Sequence, residues 1–131
     1  MTELKLKIVT PDRVFFDDEI ISFTARGIEG DFTILKNHAP FVTVLDIRKI
    51  KIKTKEGEKT ATVAGGYIIV RDNNITVMSD ACEWTDEIDM ARAQRAKDMA
   101  EKKLRESKSE DDTFKAELAL RKAINRLGSN D

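Results

Sequence analysis

The spacing of apolar residues changes across the segment Trp84–Ala93, and this change limits the folds open to the chain. Upstream of the segment, apolar residues recur at every second position, which is typical of strands with one buried face. Downstream of it, they recur at every third or fourth position, which is typical of helices. The sequence therefore predicts two domains, a β domain over residues 1–84 and a helical domain over residues 85–131.

The β domain is predicted to be an antiparallel β-sandwich or flattened barrel, because short strands recur in it at a spacing of roughly ten residues. Lys55–Glu58 and Asp72–Asn74 are predicted hairpin turns, since Gly and Asn tolerate positive φ angles. The predicted strands are Leu4–Val9, Val14–Phe16, Ile20–Ala25, Val42–Asp46, Arg48–Thr54, Lys59–Val63, Tyr67–Arg71 and Asn74–Ser79. The residues predicted to fill the core are Ile50, Ile52, Ala61, Val63, Ile68, Val70, Ile75 and Val77.

Two amphipathic helices are predicted within 86–127, joined by the polar linker 107–112 into an antiparallel hairpin, so the fold class is α+β. Thr85 or Asp86 can cap the first helix, and Gly128 stops the second. The apolar stripes are rich in alanine, which lets helices approach closely but buries little apolar area. Because ordering costs about 1–2 kcal/mol per residue for the backbone, we predict a helical arm that is marginally stable alone and can detach from the β domain.

Composition and charge exclude several classes of protein. The 23 Lys and Arg residues nearly balance the 24 Asp and Glu residues, so the excess basic charge of a nucleic-acid-binding protein is missing. The single cysteine, Cys82, excludes an internal disulfide, and no Cys/His cluster has metal-ligand spacing. The longest uncharged apolar run, Thr60–Val70, is shorter than the about 20 residues needed to span a bilayer. Because Met1–Ile8 lacks the apolar core of a signal peptide, we expect a soluble, cytoplasmic protein. From the missing ligand cluster and the short apolar run, we expect neither a bound metal nor a segment inserted into the membrane.

The least regular stretch, Gly27–Phe41, contains the single histidine, His38. A catalytic base there would need a nucleophile or a titratable partner, and the sequence shows neither, so a loop histidine that bonds backbone or meets a partner is the simpler interpretation. Gly65–Gly66 lacks the spacing of a phosphate-binding loop and predicts a bulge or a close approach of strands. Cys82 is expected to be a small buried apolar residue. No catalytic residue is predicted, although an enzyme that uses His38, Cys82 or Asp89 stays open as an alternative.

Three features of the sequence, taken in order, resemble the epsilon-subunit family of the bacterial rotary (F-type) ATP synthases. The first is the pair of glycines at Gly27–Asp31 followed by the leucine, histidine and proline of Leu35–Pro40. The second is the strand Val63–Gly66, and the third is the tail Ala116–Leu127. The resemblance covers essentially the whole chain, and the joint order and spacing of the three features are specific.

The resemblance implies a non-catalytic subunit of the central stalk, part of the rotor, which couples ion translocation to ATP synthesis. It implies that the β domain binds the gamma subunit and sits on the ring of membrane c subunits, with the loop around Asp31 and His38 meeting the ring. It also implies that the hairpin either lies folded or extends along gamma into the alpha/beta catalytic head, where it blocks ATP hydrolysis. The expected location is peripheral, on the cytoplasmic face of the cell membrane.

Members of this family that bind ATP on the folded hairpin share a motif that stands here as Ile88-Asp89-Met90-Ala91-Arg92-Ala93. The resemblance implies that Arg92 pairs with a phosphate, that Asp89 orients a base or ribose donor, and that Ala93 leaves room for adenine. No cofactor is required, and ATP is expected as a regulatory ligand. The implied ATP-binding residues are Glu83, Ile88, Asp89, Arg92, Ala93, Lys115, Lys122 and Arg126.

Three observations leave other interpretations open. Lysine stands at 115 and 122, where ATP-binding members carry arginine, and lysine keeps the charge but loses the bidentate fork. Asp89 can act simply as a helix-start carboxylate, with Arg92 solvated or ion-paired. A sandwich followed by a helical hairpin can also be a scaffold module of a different complex.

Overall fold

A computed structural model describes residues 3–128 of the chain. These residues form eight strands, one 3₁₀ helix and two α-helices, and they divide into two compact units, the first ending at Trp84 and the second beginning at Thr85. The strands are β1 (Lys5–Val9), β2 (Val14–Glu19), β3 (Ser22–Gly27), β4 (Gly30–Ile34), β5 (Phe41–Thr54), β6 (Gly57–Arg71), β7 (Asn74–Met78) and β8 (Cys82–Trp84). The 3₁₀ helix is Thr85–Glu87, and the α-helices are α1 (Met90–Glu106) and α2 (Glu110–Leu127).

The first unit is held together by the long hairpin of β5 and β6. The strands pair in the order β2-β1-β7-β6-β5-β3-β4, and β8 also pairs with β6. β8 pairs with Ala61–Val63 in the first half of β6, whereas β7 pairs with Tyr67–Arg71 in the second half. The hairpin therefore takes part in two groups of strands, as expected of a sandwich whose strands pass from one sheet to the other.

One strand pairing differs from the predicted antiparallel arrangement. β1 and β7 pair in parallel, with Leu6 opposite Ile75 and Ile8 opposite Val77, while the other described pairings are antiparallel. Parallel neighbours need a long connection, and here most of the first unit lies between the two strands in sequence. The predicted sandwich is confirmed, and its sheet is mixed.

The glycine pair Gly65–Gly66 lies where β6 passes between its two groups of partners. The φ angles of these residues are 79° and 114°, in the left-handed region that favours glycine. A Cβ atom on Gly66 would overlap the carbonyl oxygen of Met78 in β7. The predicted close approach of strands is confirmed, and continuous pairing with β5 makes the predicted strands Lys59–Val63 and Tyr67–Arg71 one strand.

The core of the first unit contains all eight residues predicted for it, each at most 2% exposed. Phe23, Ile34 and the apolar side of β1 complete this core, and Cys82 is buried at its margin as predicted. Trp84, the last residue of the unit, stacks on Phe15 with ring centroids 4.4 Å apart. Fully burying a large apolar side chain stabilises a protein by about 1.5–3 kcal/mol, so the first unit has a sufficient core of its own.

The sequence does not predict two of the strands. β4 lies inside Gly27–Phe41, where the apolar residues are few and lie close to glycines. No alternation of apolar and polar residues is therefore visible there. β8 has only three residues, too few for a period of two to be visible. The predicted break between Val42–Asp46 and Arg48–Thr54 is also wrong, because β5 pairs with β6 on both sides of Asp46.

The second unit is the predicted two-helix hairpin, but its first helix starts later than expected. The cap is neither Thr85 nor Asp86, because the 3₁₀ turn at Thr85–Glu87 delays the α-helix. Asp89 caps α1 instead, and its carboxylate accepts a hydrogen bond of 3.1 Å from the backbone N–H of Arg92. Ser109 caps α2 in the same way through the N–H of Asp112, and Gly128 ends α2 with a φ of 80°, as predicted.

Alanine dominates the buried positions of the two helices. Ala93 and Ala100 of α1 and Ala116 and Ala123 of α2 are at most 4% exposed. Ala93 and Ala123 are equally distant in sequence from Lys108 in the connection, and so are Ala100 and Ala116. The two antiparallel helices, which pack on each other, therefore meet along a seam of small residues that buries little apolar area.

Candidate functional site

The loop Leu35–Pro40, between β4 and β5, carries the histidine of the chain. The backbone N–H of His38 donates to the carbonyl oxygen of Leu35 at 3.2 Å, and its Nδ1 donates to the carbonyl oxygen of Ala39 at 2.7 Å. The His38 ring meets Phe41 edge-on at a centroid distance of 5.8 Å. His38 is therefore half-buried and bonded to backbone, while Leu35 beside it is 55% exposed.

This loop is tied to the turn between β6 and β7 by a pair of asparagines. The backbone N–H of Asn37 donates to Oδ1 of Asn73 at 2.6 Å, and Nδ2 of Asn73 donates to Oδ1 of Asn37 at 3.3 Å. The carbonyl oxygen of Asn73 also accepts from the N–H of Lys5 at 2.9 Å. We refer to this reciprocal pair as the Asn37–Asn73 clasp. No local pattern in the sequence indicates this pair, since the two residues are far apart in sequence.

Asp31 lies apart from His38, in β4 and not in a loop. It faces Arg26 across the β3–β4 pair, with 3.8 Å between its Oδ1 and the guanidinium Nη1. Both side chains are largely exposed, so this ion pair adds little to stability. Asp31 thus lies within β4 and His38 in the loop that follows it, so the two residues are separate polar groups.

A second feature is an exposed apolar face on neighbouring strands. Val44 of β5 lies opposite Tyr67 of β6, which lies opposite Met78 of β7, and Val42 lies opposite Ile69 in the next outward-facing row. The exposed fractions of these five residues, the apolar face, are 68% for Val42, 50% for Val44, 44% for Tyr67, 39% for Ile69 and 41% for Met78. Such contiguous apolar surface marks an interaction site in soluble proteins.

The apolar face cannot retract into the protein, because its strands already have a full core on their other side. Ile68 and Val70 alternate with Tyr67 and Ile69 along β6 and are at most 1% exposed. The hydroxyl of Tyr67 donates to Sδ of Met78 at 2.9 Å, which orients both side chains on the surface. The consecutive apolar residues Tyr67–Val70 are the sequence signal for this face, because an unbroken apolar run indicates apolar side chains on both sides of a strand.

The predicted nucleotide residues divide among three places. Ile88, Asp89, Arg92 and Ala93 lie at the start of α1, where Asp89 and Arg92 are joined by the cap hydrogen bond. Lys122 and Arg126 lie one turn apart near the end of α2. Because Ala93 and Ala123 are both buried at equal sequence distances from the connection, these two groups lie at the open end of the antiparallel hairpin, away from the connection.

Lys115 and Glu83 lie elsewhere. Lys115 belongs to an open groove of about 400 Å³ near the connection, together with Lys103, Glu106, Ser107 and Asp112. With a rise of 1.5 Å per residue, Lys115 and Arg126 are about 16 Å apart along α2. Glu83 is on β8, in the first unit. The structure thus brings together part of the predicted set, with three cations and one carboxylate at the open end of the hairpin.

Other chemistry is limited within the described residues. Burial raises the pKa of the Cys82 thiol to about 11, although a hydrogen bond with Ser79 and the charge of Arg13 act in the opposite direction. A thiol with this pKa is a poor nucleophile at neutral pH. Residues 3–128 hold no group of three His, Cys, Asp or Glu side chains arranged for a metal ion, and none of their helices is long and apolar enough to cross a membrane.

Comparison with known families assigns both units. Residues 3–85 match the family described as ATP synthase, Delta/Epsilon chain, beta-sandwich domain. Residues 86–128 match the family described as ATP synthase, Delta/Epsilon chain, long alpha-helix domain. The chain is 46% identical over 127 residues to the ATP synthase epsilon chain of Alkaliphilus metalliredigens, covering 97% of this chain and 95% of that protein. It is 40% identical to the epsilon chain of Caldicellulosiruptor saccharolyticus, covering 97% and 93%.

Solved structures show the same fold at low sequence identity. A chain of the Euglena gracilis mitochondrial ATP synthase, from the OSCP/F1/c-ring structure in rotational state 1, matches with a TM-score of 0.84 and 19% identity, covering 100% of this chain and 83% of that chain. A chain of the central stalk/c-ring structure of the Tetrahymena thermophila mitochondrial ATP synthase matches with a TM-score of 0.70 and 16% identity, covering 99% and 98%. From the family matches and the identity to curated epsilon chains, this chain belongs to the ATP synthase delta/epsilon chain family.

Proposed function

We propose that the chain is a non-catalytic rotor subunit that binds the gamma subunit through its apolar face and rests on the c-ring through the loop Leu35–Pro40. The observation that carries the proposal is the apolar face, because five large apolar side chains are exposed on a sheet that has its own complete core. Such a surface is stabilised when a permanent partner covers it. Because the chain belongs to the ATP synthase delta/epsilon chain family, we take the gamma subunit as that partner. Its role would then be to couple ion translocation to ATP synthesis.

The chemistry of the apolar face supports a protein partner. Tyr67 and Met78 are residue types enriched in protein interfaces, and valine and isoleucine surround them. Covering a side chain of this size with a partner stabilises the complex by about 1.5–3 kcal/mol when burial is complete. The loop Leu35–Pro40 adds a different surface, with exposed Leu35 beside the half-buried His38. Contact of this loop and of Asp31 with the ring would place the subunit peripherally, at the cytoplasmic face of the membrane.

The hairpin supports a regulatory role. The fully buried apolar residues of its helices are alanines, so burial stabilises the closed pair of helices only weakly. A weakly held hairpin can open and extend along gamma into the alpha/beta head, where it would block ATP hydrolysis. In the folded hairpin, Arg92, Lys122 and Arg126 would bind ATP phosphates at the open end, and ATP would favour the folded state because a ligand stabilises the conformation that it prefers.

The first experiment tests the apolar face with a matched pair of valines. Val44 is 50% exposed on the apolar face, and Val14 is 51% exposed on β2, outside it. We expect Val44→Lys to weaken binding of the full chain to the gamma subunit at least about tenfold, since a charge would replace a covered methyl surface. Val14→Lys should bind as the unchanged chain does. Equal binding by both variants, or no binding by the unchanged chain, would overturn the proposal.

The second experiment tests the hairpin. A catalytic head with its gamma subunit, stripped of this subunit, receives either the full chain or residues 1–84, and binding and ATP hydrolysis are measured in parallel. We expect both to bind and only the full chain to inhibit. Binding of both without inhibition would mean that the subunit serves coupling and that its hairpin does not inhibit ATP hydrolysis. Failure of both to bind a head from the same source would favour the alternative of a scaffold in another complex.

A further inference from the structure

The loop Leu35–Pro40 is connected to the rest of the first unit by more than its two ends. Asn37 and Asn73 exchange two hydrogen bonds between groups that lie in different turns. A second tie runs from the same loop, because Nζ of Lys36 lies 3.6 Å from Oε1 of Glu3. The loop is thus tied to two segments, one before β1 and one between β6 and β7.

Both residues of the clasp have positive φ angles, a backbone conformation that asparagine adopts more readily than most residues other than glycine. Asn37 has a φ of 65° and Asn73 a φ of 60°. Asp72, with a φ of 50°, completes a two-residue turn of the type that joins antiparallel strands. Asparagine at 73 therefore satisfies two requirements at once, a left-handed turn residue and a side chain whose amide reaches the neighbouring loop.

We propose that the Asn37–Asn73 clasp is the positioning device of the ring-contacting surface, with Asn73 as a positioning residue that holds Leu35 and His38 in their binding geometry. This inference rests on the proposed function, in which the loop meets the c-ring. A loop held in its bound conformation before binding loses less conformational entropy on association. The clasp achieves this by fixing the backbone at Asn37, which directly precedes His38.

The test uses substitutions that keep the turn. Asn73→Gly keeps a residue that adopts positive φ and removes the side-chain amide, whereas Asp72→Gly does the same at the neighbouring position and leaves the clasp intact. In the free full-length chain, we expect Asn73→Gly to accelerate hydrogen exchange at the Asn37 N–H about fivefold or more, since its acceptor is lost. The NMR signals of the His38 ring should also shift. Asp72→Gly should change neither.

Binding to the isolated c-ring is then measured for the complex of gamma with each variant. We expect Asn73→Gly to weaken ring binding several-fold, Asp72→Gly to leave it unchanged, and Asn73→Asp, which keeps an oxygen acceptor for the Asn37 N–H, to restore part of it. Unchanged exchange at Asn37, or faster exchange with unchanged ring affinity, would overturn the inference. Leu35→Asp tests the contact of the loop with the ring separately from the role of the clasp. If this variant binds the ring normally, the loop is not the ring contact and the proposed function itself fails.

Discussion

Gly66 of β6 lies against the backbone of Met78 in β7 so closely that a single added methyl group would overlap the Met78 carbonyl oxygen. Gly30, at the start of β4, also has a positive φ, 124° against 114° for Gly66, but no atom lies within 4 Å of the position of its missing Cβ. The two glycines therefore separate two effects that are usually mixed, the strain of the backbone conformation and the lack of space.

Alanine at these two positions should have unequal costs. Both substitutions place a Cβ on a left-handed backbone, but only Gly66→Ala also forces β6 and β7 apart. Because overpacking typically costs about 1–3 kcal/mol, we expect Gly66→Ala to lower the free energy of unfolding by at least that much more than Gly30→Ala. Urea denaturation of the two variants provides the measurement. Equal losses would mean that the close approach of the strands relaxes without cost.

The buried thiol predicts a dependence of stability on alkaline pH. The pKa of Cys82 is raised to about 11 in the folded chain, against about 8.5 for an unfolded cysteine. The folded state therefore retains the proton longer, and the stabilisation that this gives is complete below the unfolded pKa and is lost as pH rises towards 11. We expect the difference in free energy of unfolding between the unchanged chain and Cys82→Ala to fall by about 1.4 kcal/mol per pH unit in this interval. A difference that is independent of pH from 8 to 11 would contradict this.

The two helix caps predict which role Asp89 has. Asp89→Ala and Ser109→Ala each remove the side chain that accepts from the first turn of a helix, and each should cost about 0.5–2 kcal/mol of hairpin stability. If Asp89 also orients the nucleotide, ATP should protect the Ser109→Ala hairpin against thermal unfolding and should fail to protect the Asp89→Ala hairpin. Circular dichroism melts with and without millimolar ATP distinguish the outcomes. Equal protection would limit Asp89 to capping.

The alanine seam predicts sensitivity to size. Ala123 is 1% exposed in the seam, whereas Ala119, one turn earlier on the same helix, is exposed. Ala123→Leu should push the helices apart and cost about 1–3 kcal/mol, while Ala119→Leu should be nearly neutral, since leucine is a good helix former. Hydrogen exchange in α1 and α2 should accelerate for the first variant only. Unchanged exchange after Ala123→Leu would mean that the seam has room for a larger side chain.

Features with a local cause were predictable from the sequence. Ile68, Val70, Ile75 and Val77 alternate with outward-facing residues, so a period of two identified them as core before any pairing was known. Gly128 likewise ends α2 with the left-handed conformation that glycine adopts most easily. The position of the first cap was not predictable, because Thr85, Asp86 and Asp89 all have capping side chains and only the 3₁₀ turn selects among them.

Features that depend on contacts between residues far apart in the chain could not be predicted from the sequence. The parallel pairing of β1 with β7 joins segments separated by most of the first unit, and no local pattern specifies it. The Asn37–Asn73 clasp has the same origin, since each asparagine alone predicts only a turn. For the candidate nucleotide site, by contrast, the separation of Lys115 from Arg126 already follows from their spacing in the predicted second helix.

The stacking of Trp84 on Phe15 gives the hairpin a fixed point of attachment. From Trp84, only the residues Thr85–Asp89 lead to the first residue of α1, and five residues span at most about 17 Å when fully extended. A tether this short keeps the start of α1 at an effective concentration in the millimolar range near any surface within reach. A surface that binds the start of α1 with a dissociation constant as weak as about 1 mM would then be about half occupied.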